Sequence, residues 1–107
     1  MTDWTENPPG RTEIDKQPGA MVLEFGTSWC GHCRRTQPLI DEVLAEHPQL
    51  RYLKVADGPG QPLGRSFGVK LWPTLVFLRD GIEVAREVRP QTAAAVRAAV
   101  SQALGGP

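Results

Sequence analysis

The segment Met21-Val-Leu-Glu-Phe-Gly-Thr-Ser-Trp-Cys-Gly-His-Cys33 joins an apolar run to the start of an amphipathic stretch. The run from Met21 to Phe25 has the length and composition of a buried strand. From Cys30 onward, Cys33 and Ile40 fall on one helical stripe with other apolar residues. The segment therefore predicts a strand that leads directly into a helix, with two cysteines at the start of that helix.

The same alternation of strands and helices continues along the chain. We predict further strands at residues 52–56, 74–78 and 82–88, and helices at 30–47, 63–67 and 93–104. Two strands joined by a long helix should be parallel, whereas the Asp80-Gly81 turn indicates an antiparallel hairpin. This order predicts an α/β fold, in which a small mixed sheet of four to five strands is flanked by helices.

The length of 107 residues suffices for one domain. Residues 1–19 contain three prolines and two glycines. We expect them to form an irregular N-terminal segment, with room for a short helical turn near residues 12–16. The domain itself is expected to span residues 20–107.

The charge composition indicates which classes of binding partner are disfavoured. Twelve basic residues balance twelve acidic ones, so the formal net charge is zero and favours neither nucleic acid nor an anionic membrane. Apolar runs are too short to cross a bilayer. The first ten residues resemble no secretory leader, and we expect a cytoplasmic protein.

The two cysteines are too few for a structural disulfide framework, which indicates a catalytic or metal-binding pair. At a helix N-terminus, unpaired N–H groups and the dipole favour a thiolate on Cys30, and a charged His32 would add to this. Cys33, one turn further along, would resolve a mixed disulfide.

An inert cysteine pair is one alternative to this redox role. Zinc is another, but His47 lies about four turns from Cys33, so we expect no metal.

Four features in order resemble the thioredoxin superfamily over residues 20–104. They are Trp29-Cys-Gly-His-Cys33 after an apolar strand, Pro38 within the helix, Trp72-Pro73-Thr74 before a strand, and the run Leu75–Gly81. The resemblance implies a thioredoxin fold, a cis Pro73 that faces the cysteines, and thiol–disulfide oxidoreductase activity.

The resemblance also implies roles for individual residues. The loop Trp72-Pro73-Thr74 would pair with an extended client segment, although Trp29 and Trp72 could instead be core aromatics. Glu24 stands where the family has a buried acid that takes a proton from Cys33; otherwise it reaches solvent at a strand edge. Lys54 either pairs with Glu24 or is a surface lysine.

Four departures from the family pattern bear on the site. Histidine between the cysteines gives the Cys-Gly-His-Cys of protein disulfide isomerases, which are more oxidising than thioredoxin. Gly26 replaces a tryptophan, so we expect looser packing beneath the motif. Arg89 replaces a glycine beside the client groove, where it either favours acidic clients or points to water. The family's N-terminal strand and helix have no clear counterpart in residues 1–19.

We therefore expect an enzyme that reduces disulfides of client proteins as a monomer. Its catalytic residues would be Cys30, Cys33 and Glu24. The properties of the site would be adjusted by Trp29, Gly31, His32 and Lys54. Client proteins would be bound by Trp72, Pro73, Thr74 and Arg89. A thioredoxin-reductase-type protein would donate electrons. The chain has no glycine-rich nucleotide loop, so we expect no cofactor. The alternatives are an oxidase or isomerase, and a non-catalytic binding module.

Overall fold

The computed structural model describes residues 3–105, which form four helices and four strands. In chain order they are α1 (Arg11–Asp15), β1 (Ala20–Gly26), α2 (Gly31–Leu44), β2 (Arg51–Ala56), α3 (Pro62–Ser66), β3 (Thr74–Arg79), β4 (Ile82–Val88) and α4 (Ala93–Ala103).

The four strands form one mixed sheet in the order β2-β1-β3-β4. Strands β1 and β2 are parallel, as predicted for strands joined by a long helix, and the other pairs are antiparallel. The β3–β4 hairpin turns at Asp80 and Gly81, whose φ angles of 52° and 79° suit a tight turn between twisted strands. The register places Phe25, near the end of β1, opposite Thr74 at the start of β3. The loop that leads to Cys30 and the loop that contains Pro73 therefore leave the same end of the sheet.

Two apolar cores lie on opposite faces of the sheet. One packs against α2 and α4 and contains Val22, Ile40, Val43, Leu75, Phe77, Val96 and Val100. The other packs against α1 and α3 and contains Ile14, Leu23, Phe25, Leu63, Phe67 and Val76. Because side chains alternate along a strand, β1 must be apolar on both faces. Glu24 is the exception in β1, and it lies on the α2 face with Val22.

Helix α2 ends earlier than predicted. Its last residue is Leu44, and His47 lies in the following turn, where its backbone N–H donates to the Leu44 carbonyl at 3.0 Å. Pro48 disfavours a helical conformation at the residue before it, which explains the shorter helix. Pro38 lies inside α2 on its exposed side.

Helix α4 begins as predicted. The Thr92 hydroxyl accepts a hydrogen bond from the Ala95 N–H at 3.1 Å, and Gly105 follows the helix with a φ angle of 81°. No helix in residues 3–105 combines the length and apolar character needed to span a bilayer.

The N-terminal segment contains more structure than expected. Residues 11–15 form α1, and Ile14 is completely buried in one of the cores. Thr5 forms a parallel bridge with Val55, in which its N–H donates to the Lys54 carbonyl and its own carbonyl accepts from the Ala56 N–H, both at 2.8 Å. Most of residues 3–19 is irregular, as expected, and α1 matches the short helical turn expected near residues 12–16, whereas the bridge at Thr5 was not predicted. A single bridge and a five-residue helix are too short to leave a clear periodic pattern in the sequence.

Candidate active site

Cys30 is the N-cap residue of α2, and its sulfur accepts a hydrogen bond from the Cys33 N–H at 3.2 Å. The backbone at Cys30 is extended, with φ −80° and ψ 119°, because the chain enters the helix directly from the end of β1 and a short turn. Both cysteines are free thiols. The otherwise unpaired N–H groups of the first helical turn favour negative charge on an acceptor at this position. The geometry is therefore suited to hold a thiolate on Cys30.

Cys33 lies deeper than Cys30, with 2% of its surface exposed against 8%. Burial, followed by the hydrogen bond to the Cys30 side chain, raises the pKa of Cys33 from 9.0 to about 12. The charges of Cys30 and Glu24 act in the same direction, and a backbone hydrogen bond from Thr27 partly offsets them. The second thiol therefore keeps its proton unless a base removes it.

His32 is exposed, and the structure corrects the role that we expected for it. An Arg35 guanidinium nitrogen lies 2.8 Å from Nδ1 of His32. Because guanidinium can only donate, Nδ1 must be the acceptor, so the ring is neutral and carries its proton on Nε2. Desolvation and the charges of Arg89 and Arg35 lower the pKa of His32. The fixed positive charge beside the motif belongs to the arginines rather than to an imidazolium.

Gly31 separates Cys30 from His32 at the start of α2. A Cβ atom at Gly31 would lie 3.7 Å from the Arg35 guanidinium, which is ordinary contact. The Arg35 side chain therefore folds back toward the first residue of the helix, beside the cysteines.

The Trp72–Pro73 peptide is cis, as the resemblance implied, and Pro73 and Thr74 are buried. The Thr74 hydroxyl donates to the Leu71 carbonyl at 2.6 Å, which fixes the loop before β3. Trp72 donates its indole N–H to Asp57 at 2.9 Å and meets Trp29 edge-on, with ring centroids 5.6 Å apart. Trp29 is 70% exposed and Trp72 is half-buried, so neither residue is a core aromatic. They form an accessible aromatic wall beside the cysteines.

Arg89 does not point freely into water. Its backbone N–H donates to the Pro73 carbonyl at 3.0 Å, and its side-chain Nε donates to the Trp72 carbonyl at 2.8 Å. The φ angle of Arg89 is +49°, a conformation that favours glycine, and these two bonds hold it there. Arg89 also borders a surface cavity with His32 and Arg35. The arginines thus line one side of the redox motif.

Glu24 is completely buried, so the alternative of a carboxylate at a solvent-exposed strand edge is wrong. The Tyr52 hydroxyl donates to Oε1 of Glu24, whereas Oε2 has no hydrogen-bond partner among residues 3–105. Burial raises the pKa of Glu24. The hydrogen bond from Tyr52, the charge of Lys54 and the nearby Gln37 amide oppose this increase, and the charge of Asp41 adds to it. The carboxyl group is therefore poised to exchange a proton at a higher pH than an exposed glutamate.

Lys54 lies directly across from Glu24 in the parallel β1–β2 register and is buried, which excludes the surface lysine. Its ammonium group rests 4.5 Å from the centroid of the Trp4 ring. Within residues 3–105, no Glu24–Lys54 ion pair falls among the salt bridges, which join Arg11 to Asp15, Arg86 to Glu83, and Arg97 to Glu42 and Glu46. Lys54 therefore acts on Glu24 through its charge and not through a direct bond.

Gly26 does not leave the packing loose. A Cβ atom at this position would lie 2.5 Å from the Cys33 sulfur and 2.8 Å from the Trp4 ring, so both already occupy the space. The prediction of looser packing is wrong because an indole from the N-terminal segment fills the gap.

Four further residues around the site were not predicted from the sequence: Trp4, Tyr52, Gln37 and Asp57. Tyr52 carried a weak signal, since it shares a face of β2 with Lys54 and hence faces Glu24. Gln37 and Cys33 are likewise one helical turn apart on α2. Trp4 and Asp57 lie far along the chain from the motif, and no local pattern connects them to it.

Cys30, His32, Cys33 and His47, which are of the residue types that bind zinc, do not converge. Among residues 3–105, no three His, Cys, Asp or Glu side chains are placed to share a metal ion. His47 lies beyond the far end of α2, away from Cys30 and Cys33 at its start.

The family model for thioredoxin matches residues 9–102. The chain belongs to the thioredoxin family. The reduced form of thioredoxin 2 from Pseudomonas aeruginosa PAO1 has a similar structure, with a TM-score of 0.88, 52% identity, and coverage of 98% of this chain and 97% of that one. Together with thioredoxins of similar sequence, this match identifies a thiol–disulfide oxidoreductase with the thioredoxin fold.

Two curated relatives illustrate the range of the family. Thioredoxin H-type 1 of Nicotiana tabacum is 35% identical over 88 residues, which cover 82% of this chain and 68% of the relative. Protein disulfide-isomerase A2 of Pongo abelii is 38% identical over 98 residues, 72% of this chain. The match spans only 18% of that longer isomerase.

The burial of Glu24 predicts a pH-dependent stability. Because its pKa is raised in the folded state, the unfolded chain ionises first as pH rises above 4.5, and the free energy of unfolding falls until the folded pKa is passed. Glu24→Gln removes this loss. Relative to the native chain, the variant should gain stability between pH 4 and pH 8, by about 1.4 kcal/mol for each pH unit that separates the two pKa values.

Urea denaturation at the two pH values measures this gain. Glu13→Gln, which neutralises an exposed carboxylate, controls for the loss of one negative charge. An equal effect of Glu24→Gln at pH 4 and pH 8 would contradict the burial argument.

Proposed function

We propose that this thioredoxin-family chain reduces protein disulfides, with Cys30 as nucleophile and Cys33 as resolving thiol. The observation that carries the proposal is the asymmetry of the pair. The Cys30 sulfur accepts an N–H bond at the helix start, while the pKa of the buried Cys33 is raised to about 12. One thiol is thus suited to attack as a thiolate, and the other to wait as a thiol.

The proposed reaction has two exchange steps. The Cys30 thiolate attacks one sulfur of the client disulfide, forms a mixed disulfide and displaces the first client thiolate. Cys33 then loses its proton and attacks the Cys30 sulfur, which releases the second client thiolate and leaves a Cys30–Cys33 disulfide. Two electrons pass from the cysteine pair to the client, whose two thiolates take up protons.

Glu24 is the proposed acceptor of the Cys33 proton. Its charge contributes to the raised pKa of Cys33, which shows that the two groups interact electrostatically. Gln37 and Lys54 border a small cavity of about 80 Å³ together with Cys33, and Gln37 is linked to Glu24 through the Tyr52 hydroxyl. An acid with a raised pKa is a better base once it ionises, which suits this transfer.

The client surface combines an aromatic wall with positive charge. Trp29 and Trp72 meet at the loop before Pro73, and Arg35 and Arg89 lie on the side of His32. Client segments with acidic residues beside the disulfide would complement these arginines. The loop Trp72-Pro73-Thr74 would position such a segment by backbone pairing.

Turnover requires an external electron donor. By analogy with the family, we propose a thioredoxin-reductase-type protein for this role. A cytoplasmic location is consistent with this proposal, since a reducing compartment keeps a close cysteine pair as dithiol. The proposed working form is a monomer.

A more oxidising function is the second candidate. The chain shares 38% identity with protein disulfide-isomerase A2 over 98 residues, and it has the sequence Cys-Gly-His-Cys between positions 30 and 33. Such a protein would use the same two exchange steps in the opposite direction and donate its disulfide to client thiols.

Variants of the two cysteines test the enzymatic role. In a disulfide reduction assay with insulin, Cys30→Ser should abolish activity, and Cys33→Ser should leave a stable mixed disulfide with clients. Clients captured by Cys33→Ser should be varied and should carry acidic residues beside the captured cysteine. Reduction that persists in Cys30→Ser, or a single partner held equally well without both cysteines, would contradict the proposal and favour a binding module.

Resolution kinetics test the role of Glu24. In single-turnover release of client from the mixed disulfide, the rate of the native chain should rise with pH as Glu24 ionises. Glu24→Gln should lack that rise and be slower at high pH, by about tenfold or more if general-base catalysis is lost. Identical rate–pH profiles would exclude Glu24 as the acceptor.

A redox titration of the Cys30–Cys33 pair separates the two directions. We expect a potential nearer to that of thioredoxin, about −270 mV, than to that of protein disulfide isomerase, about −180 mV. The neutral His32 supports this expectation, because it contributes no full charge to a thiolate. A value near the higher potential would establish the oxidising candidate instead.

A further inference from the structure

Trp4 lies on the redox site, although it stands twenty-six positions before Cys30. The bridge between Thr5 and β2 carries it there, since two backbone hydrogen bonds of 2.8 Å fasten Thr5 beside Lys54 and Ala56. The Trp4 side chain then extends over the edge of the sheet toward Gly26. The position of the indole is therefore fixed by backbone bonds that do not depend on its own side chain.

The space above Gly26 shows what the indole covers. A Cβ atom at Gly26 would lie 2.5 Å from the Cys33 sulfur and 2.8 Å from Cη2 of Trp4. The ring and the resolving thiol are therefore neighbours that share the volume left free by the missing side chain. Any residue with a side chain at position 26 would have to displace one of them.

The Trp4 ring also contacts Lys54, whose positive charge acts on Glu24. The Lys54 ammonium group lies 4.5 Å from the ring centroid, within the range of a cation–π contact. Lys54 is the direct cross-strand neighbour of Glu24. One aromatic face thus contacts Lys54, while the Cη2 edge of the ring and the Cys33 sulfur border the same space at Gly26.

We propose that Trp4 is a positioning residue of the redox site, whose indole shields the Cys33 thiol from water and keeps the Lys54 ammonium beside Glu24. This inference rests on the proposed exchange reaction and adds the N-terminal segment to it. Gly26, which has no side chain, leaves free the space that the Trp4 indole occupies.

The arrangement determines how Cys33 titrates. The charged and titratable groups around its sulfur are Cys30 and Arg34 on α2, Glu24 on β1 and Lys54 on β2. Burial is the largest cause of the raised pKa of Cys33. Removal of the indole admits water to the thiol and reduces the burial that raises its pKa, so the thiol should lose its proton more easily.

Alkylation of Cys33 in a Cys30→Ser background tests the inference, because only one thiol then remains. The rate of reaction with iodoacetamide, measured from pH 7 to pH 12, reports its ionisation and its access to solvent. Trp4→Ala should lower the apparent pKa of Cys33 by about one unit and raise the rate at pH 8 about tenfold. Trp4→Phe retains an aromatic ring and should fall between this variant and the parent.

Thr5→Ala is the matched control, since it removes a side-chain hydrogen bond to the Asn7 N–H within the same segment but leaves the indole in place. It should titrate as the parent does. If Trp4→Ala also titrates as the parent, or if Thr5→Ala shifts the pKa of Cys33 equally, the inference is overturned. Thermal denaturation of each variant shows whether the domain stays folded at the temperature of the assay.

The insulin assay separates this inference from the proposed function. If the native chain fails to reduce insulin while Trp4→Ala still shifts the titration of Cys33, the proposed function is wrong and the covering role of Trp4 stands. If the native chain is active and the titration does not move, only the role of Trp4 is refuted.

Discussion

The hydrogen bond from the Cys33 N–H to the Cys30 sulfur is the contact on which the site depends. It exists because β1 runs directly into α2, so that the first cysteine caps the helix and the second begins its buried stripe. The same geometry makes the two sulfurs unequal. A helix N-terminus stabilises negative charge on one of them, while burial against the sheet disfavours it on the other.

The burial of the Glu24 carboxyl group is energetically unfavourable, and neighbouring residues offset part of this cost. A central strand with both faces covered offers no solvent to a carboxylate, and only one of its oxygens finds a donor, from Tyr52, within the described residues. Lys54, the direct neighbour of Glu24 on β2, partly offsets the raised pKa of the carboxyl group through its positive charge. The costly burial of a carboxyl group near the cysteine pair therefore supports the proposed role of Glu24 in proton transfer.

Local sequence patterns predicted most of the fold. The period-two and helical repeats located all four strands and three of the helices, and the connection lengths predicted the parallel and antiparallel pairs.

Within the site, the cysteines and the loop around Pro73 could be located because their signals are contiguous motifs. The charge state of His32 was not predicted, because it depends on the side chain of Arg35, one helical turn away, and on Arg89, far along the chain. The bond from Arg89 to the Trp72 carbonyl joins two loops and leaves no local pattern. Trp4 left no signal, since its position depends on a bridge between distant segments.

The attachment of the N-terminal segment has a practical consequence for handling the molecule. Ile14 fills a core, and Thr5 extends the sheet beyond β2, so residues 3–19 separate part of the interior from solvent. Trimming the chain to the apparent start of its regular strands would uncover apolar surface and the back of the catalytic centre together. Fluorophores, immobilisation tags and fusion partners are better joined after Leu104, which is exposed at the end of the last helix.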